Sequence, residues 1–280
     1  MTLESWRRSP GWKSTVRWQL ARPIRVAATM WPLPRGRWFI GRIARLVAGR
    51  IVLPGSMISA STPGGGSVEF DPDTLLGRIF WSVGSFEQSE LSAAYRSAAP
   101  GTYTFDVGAN VGLFAVVMSR AVGLTGRVVA IEPVADTVVA LRRNLERNGC
   151  MNVDVVEGAA ASSSGEVPLM LTNDPALHSA GGELVRGRSV VQVITVKAYT
   201  IDELWIGAGR PPVSLAKVDV EGGEYDVLVG SAEMIAQCRP ALIIEVNDRS
   251  QIQRVVELLH DYRVESPAGF LGWNHLMVPN

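Results

Sequence analysis

The sequence predicts an α/β fold whose core is a doubly wound, mostly parallel sheet, and three observations predict it. Apolar runs of strand length alternate with amphipathic runs of helix length from about residue 101 onward. This alternation is typical of right-handed β–α–β units, whose strands pair in parallel. The stretch DVGANVG (106–112) places a glycine turn directly after the first of these strands, where open α/β sheets bind their ligands.

The first half of the alternating region contains three strands and two helices. The strands are GTYTFDVGA (101–109), GRVVAIEP (126–133) and NVDVVEGAA (152–160), and the helices are VGLFAVVMSRAV (111–122) and ADTVVALRRNLERNG (135–149). In the second helix Val138, Leu141 and Leu145 recur at helical spacing, and Gly149 suits its C-terminal end. Together these elements form two consecutive β–α–β units.

The alternation is interrupted between about residues 166 and 199. Two predicted strands, EVPLML (166–171) and VVQVITVKAYT (190–200), flank the polar loop TNDPALHSAGGELVRGRS (172–189). The order of strands and helices then resumes in 213–237 and 240–248.

Residues 1–100 are predicted to be an N-terminal extension of a domain that spans 101–280. The glycine cluster STPGGGS (61–67) marks a turn. The stretch that follows, 68–91, is interpreted as two short strands and the start of a helix that leads into the domain.

The first 50 residues are strongly basic. They hold eleven Lys or Arg and one acidic residue, which leaves 16 basic and 26 acidic residues in the remainder of a chain whose net charge is zero. In WFIGRIARLVAGRIVL (38–53), apolar residues share one helical face with Arg between them. The pattern predicts an amphipathic helix, either lying on an anionic membrane surface or packed against the acidic remainder of the chain.

Cysteine usage and hydropathy favour an intracellular protein. Cys150 and Cys238 are far apart and lack the spacing of a zinc site. The chain has no run of about 18 uninterrupted apolar residues and no secretory signal pattern. We therefore expect a cytoplasmic protein, peripheral to the inner face of the membrane if the basic segment binds lipid.

The glycine turn and the next strand end together predict an adenosine site. The spacing from Gly108 to Gly112 differs from that of a dinucleotide-binding turn, and no Lys-Ser/Thr pair follows to bind phosphates. Glu132 ends the second strand, where a carboxylate can accept hydrogen bonds from both ribose hydroxyls. At the end of the third strand, Glu157 is either an adenine contact, with the backbone of Gly158 and Ala159, or a solvated strand end.

Several motifs give the sequence a family resemblance. They are FDVGANVGLFA, VVAIEP, LRRNLERNG, TIDEL, AKVDVEGGEYDVLVG and PALIIEVN, with SFEQSEL ahead of them. On these motifs, which cover roughly 200 residues, the chain resembles the FkbM-type S-adenosylmethionine-dependent methyltransferases. The resemblance implies a class I (Rossmann-like) methyltransferase fold with a seven-stranded sheet, and O-methylation of sugars or secondary metabolites.

The predicted cofactor-binding residues follow from the strand ends and from the resemblance together. They are Glu87, Asp106, Gly108, Asn110, Gly112, Glu132, Pro133, Glu157, Gly158, Ala159 and Asp219. The cofactor that they imply is S-adenosyl-L-methionine.

Acidic residues at the ends of the fourth and fifth strands predict the chemistry. Methyl transfer to a hydroxyl requires alignment of the acceptor oxygen and removal of its proton. Asp219, Glu245 and Asn247 follow neighbouring strands and are predicted either to hold Mg²⁺, as in catechol-type O-methyltransferases, or to bind the acceptor directly with a carboxylate as the base. Lys217 either pairs with Asp219 or plays a structural part beneath the sheet.

Histidines supply further candidates for the base. His178 lies in the polar loop, which we interpret as a lid over the acceptor pocket, and a near-neutral pKa suits a base or a substrate contact. His275 and Asn274, near the C-terminus, are weaker candidates for the lining of the pocket.

The predicted function is methyl transfer to a hydroxyl of a glycolipid, an oligosaccharide or a glycosylated metabolite. The alternatives are an inactive cofactor-binding or membrane-associated scaffold and a nucleic-acid methyltransferase. No nucleic-acid partner is expected, because no Asn-Pro-Pro-Tyr-like motif for an extruded base occurs. Homo-oligomers are compatible with the sequence.

Overall fold

The computed structural model describes residues 57–71, 74, 76, 77, 80, 87–172, 190–246, 249–265 and 273–280. The predicted N-terminal amphipathic helix, His178 and Asn247 lie outside the described residues. Within the described part of the chain, no helix is long and apolar enough to cross a membrane.

Twelve strands and seven helices occur in the described residues. The strands are β1 (Ile58–Thr62), β2 (Gly66–Phe70), β3 (Tyr103–Val107), β4 (Arg127–Glu132), β5 (Val153–Glu157), β6 (Ala159–Ala160), β7 (Gly165–Thr172), β8 (Val190–Tyr199), β9 (Val213–Val218), β10 (Ala241–Glu245), β11 (Tyr262–Glu265) and β12 (Asn274–Pro279). The helices are α1 (Gln88–Ser97), α2 (Leu113–Val122), α3 (Ala135–Arg147), α4 (Ile201–Gly207), α5 (Glu224–Val229), α6 (Ala232–Cys238) and α7 (Arg249–Leu258).

Seven strands form the main sheet, in the order β11-β12-β10-β9-β3-β4-β5. Strands β10, β9, β3, β4 and β5 run parallel, whereas β12 is antiparallel to both of its neighbours. The chain winds from β3 outward to β5 and then returns to β9 on the other side, so the winding reverses between β3 and β9. The predicted doubly wound, mostly parallel, seven-stranded sheet is confirmed.

The two faces of β3 have different environments, because successive side chains of a strand point to opposite sides. Phe105 and Val107 belong to a large apolar core that also contains Trp205 of α4. Thr104 and Asp106 lie on the other face and are fully buried. A buried carboxyl group such as that of Asp106 is costly in a core strand unless a neighbouring charge or hydrogen bond compensates for the lost water.

A smaller sheet is formed by the part of the chain between β5 and β9. Strands β6, β8 and β7 form it in that order, with β7 antiparallel to β8. The two strands predicted around the polar loop are therefore present, and their antiparallel register pairs Leu169 with Ile194.

The chain divides into two compact units, residues 1–60 with 69–86, and residues 61–68 with 87–280. The glycine cluster lies between β1 and β2 and closes a two-stranded sheet. β2 is one of the two strands expected after the glycines, and β1, which precedes them, was not expected. Most of the stretch expected to hold the other strand lies outside the described residues. The division near residue 100 stays a prediction.

Candidate functional site

A cavity of about 200 Å³ opens at the carboxyl ends of β3, β4, β5 and β9. Its lining residues come from the turns after these strands and from β4, β6, β7 and α5. They are Gly108, Asn110, Ile131, Glu132, Pro133, Gly158, Ala159, Ala160, Ala161, Ser162, Ser163, Val167, Leu169, Asp219, Val220, Glu221, Gly223 and Asp226. The cavity thus lies where the winding of the sheet reverses, which is the usual ligand position in such folds.

Gly108 allows the turn after β3 to pass against the end of β9. Its φ is +78°, and a Cβ atom at this position would lie 1.8 Å from the backbone oxygen of Asp219. The N–H groups of Gly108 and Ala109 both donate to the carbonyl of Ile131, at 3.0 Å each. Only glycine fits this approach, and the backbone of the turn is thereby fixed beside the cavity.

Glu132 is held in the cavity wall by backbone groups. Its Oε2 accepts the N–H of Asn110 at 2.9 Å, and its Oε1 accepts the N–H of Val134 at 3.0 Å. Burial raises the pKa of Glu132 to about 7, although these two N–H groups lower it. Each carboxylate oxygen has a second lone pair, so Glu132 can still bind a ligand hydroxyl.

The eleven predicted cofactor residues fall into two groups in the structure. Seven line the cavity: Gly108, Asn110, Glu132, Pro133, Gly158, Ala159 and Asp219. The other four are absent from its lining: Glu87, Asp106, Gly112 and Glu157.

Each residue of the second group has its own environment. Asp106 is fully buried beneath the turn, whereas Glu157 is exposed to solvent at the end of β5. Gly112, with φ +93°, precedes α2, and a Cβ atom there would lie 2.6 Å from Cδ1 of Leu141. Their roles in cofactor binding stay predictions.

Three carboxylates gather beside the cavity. Asp219, Glu221 and Glu245 each offer an oxygen, and these oxygens lie within 4.8 Å of one another. The structure therefore brings together the predicted pair Asp219 and Glu245 and adds Glu221, whose φ of 53° belongs to the tight turn after β9. Asn247, the third predicted metal ligand, lies outside the described residues.

Glu224 stabilises this turn rather than facing the cavity. Its Oε1 accepts the N–H groups of Val220 at 3.2 Å and Gly222 at 2.9 Å. Burial raises its pKa, and those hydrogen bonds lower it.

Lys217 is the cation beneath the acidic cluster. Its Nζ donates to Oδ2 of Asp219 at 2.8 Å and lies 4.7 Å from the ring centroid of Phe114. Burial opposes the charged form, but the carboxylates of Asp219, Asp106 and Glu87 outweigh it and raise the pKa of Lys217. Of the two readings that the sequence left open, the structure thus shows the ion pair with Asp219.

A second group of polar side chains lies beside Lys217. Asn274 donates through Nδ2 to Oε1 of Glu87 and to Oε1 of Glu90, at 3.3 Å each. Burial raises the pKa of Glu87 to about 7, with Lys217 acting against this shift and Asp219 adding to it. His275 is half-buried, and burial lowers its pKa.

Eleven of the eighteen lining residues, among them Ser162, Ser163, Val167, Leu169 and Asp226, were not among the predicted cofactor-binding residues. Ser162 and Ser163 follow β6, Val167 and Leu169 belong to β7, and Asp226 lies in α5. The interruption of the α/β order at 166–199 was the available indication, because an inserted sheet at the ligand edge can close a pocket. Which of its residues face inward depends on long-range packing that no local pattern records.

The sheet order and the cavity at its reversal point define a Rossmann-like methyltransferase fold. The protein-family model of the methyltransferase FkbM domain matches residues 106–265 of this chain. The chain belongs to this family, which confirms the resemblance drawn from its motifs.

Two curated relatives resemble this chain in sequence. The hexuronic acid methyltransferase AglP of Haloferax volcanii is 28% identical over 180 residues, which cover 64% of this chain and 70% of that protein. The methyltransferase sdnD of Sordaria araneosa is 27% identical over 186 residues, with coverages of 56% and 71%.

Among solved structures, the methyltransferase FkbM of Methylobacillus flagellatus is similar, with 17% sequence identity and a TM-score of 0.42. The match covers 72% of this chain and about half, 52%, of that one.

Proposed function

We propose that this protein is an S-adenosylmethionine-dependent O-methyltransferase that acts on a sugar hydroxyl. The observation that supports the proposal best is the cavity at the reversal point of the sheet, where the Gly108 turn lies between Glu132 and Asp219. Membership of the FkbM family agrees with it.

The cavity suits a nucleoside with a cationic tail. In the proposal, Glu132 accepts hydrogen bonds from ribose hydroxyls, and the backbone at Gly158 and Ala159 lies along the base. Asp219 lines the cavity, and Glu87 and Asp106 lie behind it near Lys217, so acidic side chains surround the end of the cavity that the tail would reach. S-adenosylmethionine carries a positive sulfonium there and supplies the methyl group.

The acidic cluster suits a polyol acceptor. Carboxylate oxygens of Asp219, Glu221 and Glu245 converge within 4.8 Å, so they can bind neighbouring hydroxyls and orient one of them. A carboxylate in this cluster then accepts the proton of the reacting hydroxyl. The Haloferax volcanii relative is a hexuronic acid methyltransferase by name, which supports a carbohydrate acceptor.

Magnesium fits the same donor set. Carboxylate oxygens are the ligands that Mg²⁺ prefers, and three of them lie close enough together for one ion. Nζ of Lys217 uses one lone pair of Oδ2 of Asp219, so this carboxylate keeps further lone pairs for an ion. The proposal therefore includes Mg²⁺ with Asp219, Glu221 and Glu245 as its ligands, where it would stabilise negative charge on the acceptor oxygen.

The basic N-terminal segment suggests where the acceptor is met. We include in the proposal that residues 1–50, with eleven basic residues, bind an anionic membrane surface and bring the enzyme to lipid-linked sugars. Flotation with anionic vesicles checks this. Binding that is unchanged after removal of residues 1–55 would exclude it.

Methyl transfer to defined acceptors tests the function. The purified protein, S-adenosylmethionine and a panel of oligosaccharides with and without uronic acids are incubated with Mg²⁺ or with EDTA, and products are read by mass spectrometry. We expect a singly methylated, base-stable sugar ether. Methylation of added RNA or DNA, with none of the sugars, would contradict the proposal.

A further inference from the structure

The feature that the proposed chemistry leaves unexplained is the burial of Lys217. Its side chain is only 6% exposed, and it lies in a core strand of the main sheet. Removing an ammonium from water costs several kcal/mol, and a buried ion pair is often no more stabilising than apolar residues of the same size. A role in stability alone therefore gives a weak reason for a lysine here.

The register of the sheet places Lys217 between two carboxylates. Lys217 on β9 is the direct partner of Asp106 on β3, so their side chains leave the sheet side by side on the same face. Asp219 follows two residues later on that face, and its Oδ2 accepts from Nζ of Lys217 at 2.8 Å. Lys217 thus lies beside Asp106 in the strand pair at which the winding reverses, and its ion pair is with Asp219.

Asp106 depends on the same cation. Both of its carboxyl oxygens are buried, and neither has a hydrogen-bond partner within the described residues. Burial raises the pKa of Asp106 to about 6, and Lys217 acts against this shift together with the N–H of Ala115, which is near but outside hydrogen-bonding geometry. Asp106 and Lys217 thus attract each other at longer range, while Lys217 donates to Asp219.

Asp219 is the member of this group that reaches the cavity. Asp219 lines it, whereas Lys217 and Asp106 are absent from the lining. Because the ammonium donates to Oδ2, it restrains the orientation of the Asp219 carboxylate that lines the cavity.

We propose that Lys217 is a positioning residue, which acts on the cofactor cavity by fixing the carboxylate of Asp219 and touches no ligand itself. This inference rests on the proposed function, because it takes the cavity to bind S-adenosylmethionine. The competing role for Lys217 is packing, in which its aliphatic stem fills space beside Phe114 and the charge is incidental.

Two substitutions separate positioning from packing. Lys217→Met keeps the apolar stem and loses the charge, whereas Lys217→Arg keeps the charge and adds volume. Positioning predicts that Arg is the milder change, with an affinity for S-adenosylhomocysteine within about threefold of wild type and a loss of about tenfold for Met. Packing predicts the reverse order. S-adenosylhomocysteine has no net charge, so the lost ammonium has little direct effect on it.

A double-mutant cycle tests whether Lys217 acts through Asp219. The affinity of the full-length protein for S-adenosylhomocysteine is measured by calorimetry for wild type, Lys217→Met, Asp219→Asn and the double variant. We expect the double variant to bind no more than about twofold more weakly than Asp219→Asn alone. Losses that multiply to about a hundredfold, or an unchanged affinity in either single variant, would overturn the inference.

Folding and the proposed function are controlled separately. If Lys217→Met does not fold, Lys217→Met/Asp106→Asn removes both charges of the cross-strand pair, and Asp106→Asn becomes the reference of the cycle. If wild type itself does not bind S-adenosylhomocysteine, the proposed function fails. Binding by wild type with multiplicative losses overturns the positioning role alone.

Discussion

Glu132 and Asp219, at the ends of β4 and β9, are two carboxylates on opposite sides of one cavity that are held by different means. Glu132 is fixed by the backbone N–H groups of Asn110 and Val134, and Asp219 is fixed by the side chain of Lys217. A carboxylate held by backbone depends on the path of the chain, whereas one held by an ammonium depends on a single side chain. Mutations should therefore affect the two sides of the cavity in different ways.

The backbone between the two sides should be the most sensitive point. Gly108→Ala would place a Cβ atom 1.8 Å from the carbonyl oxygen of Asp219, and φ is +78° there. We expect a loss of about 4 kcal/mol or more in the free energy of unfolding, measured by urea denaturation.

Gly149→Ala is the matched control for this prediction. Gly149 has a φ of +64°, and no atom lies within 4 Å of a Cβ built there. Only the backbone strain remains, so a loss of about 1 kcal/mol is expected. Equal losses in the two variants would show that the approach of the turn to β9 is not tight.

The titration of Glu132 should make the free energy of unfolding depend on pH. Its pKa is raised by burial from 4.5 to about 7, so the folded state binds this proton more tightly than the unfolded chain does. The contribution to stability is then complete below about pH 4.5 and is lost as the pH rises through 7. The free energy of unfolding of Glu132→Gln, taken relative to that of wild type, should therefore rise by on the order of 3 kcal/mol from pH 4 to pH 8, at 1.36 kcal/mol per pKa unit.

Denaturation curves of both proteins at several pH values measure this difference. Glu146→Gln, at an exposed position of α3, is the control for the substitution itself. A difference between Glu132→Gln and wild type that does not vary with pH would mean that Glu132 titrates normally.

Replacing Glu132, the carboxylate held by backbone N–H groups, should strongly lower the affinity of the protein for its ligand. Glu132→Ala loses the proposed ribose contacts and leaves the N–H groups of Asn110 and Val134 without their acceptor. We expect S-adenosylhomocysteine to bind about a hundredfold more weakly, which is about 2.7 kcal/mol. A fall of less than threefold in calorimetry would remove Glu132 from the site.

The smallest effect is expected at Glu157. The sequence left open an adenine contact or a solvated strand end there, and the side chain is exposed and is absent from the cavity lining. Glu157→Gln should therefore change the affinity for S-adenosylhomocysteine by less than about twofold. A fivefold loss would support the adenine contact and would require the ligand to extend beyond the cavity.

The comparison also shows which parts of the site can be predicted from sequence. The Gly108 turn and Glu132 were accessible, because a turn after a strand and the residue that ends the next strand are local features with a fixed place in the sheet. The acids after β9 and β10 were accessible for the same reason.

The remaining parts depend on contacts between distant segments. The pairing of Asp106 with Lys217 requires the register between β3 and β9, and the contact of Asn274 with Glu87 joins residues 187 positions apart. Val167 and Leu169 enter the lining from the small sheet, whose placement has no local pattern. His178 and Asn247 lie outside the described residues, so the roles predicted for them stay predictions.

The central claim is that the cavity between Glu132 and Asp219 binds S-adenosylmethionine, and calorimetry with S-adenosylhomocysteine on the full-length wild-type protein tests it most directly. Titrations without metal, with Mg²⁺ and after EDTA also measure the contribution of the acidic cluster. The account predicts one site per chain with an affinity in the micromolar range. The absence of binding heat at millimolar ligand under all three conditions, for folded protein, would contradict it.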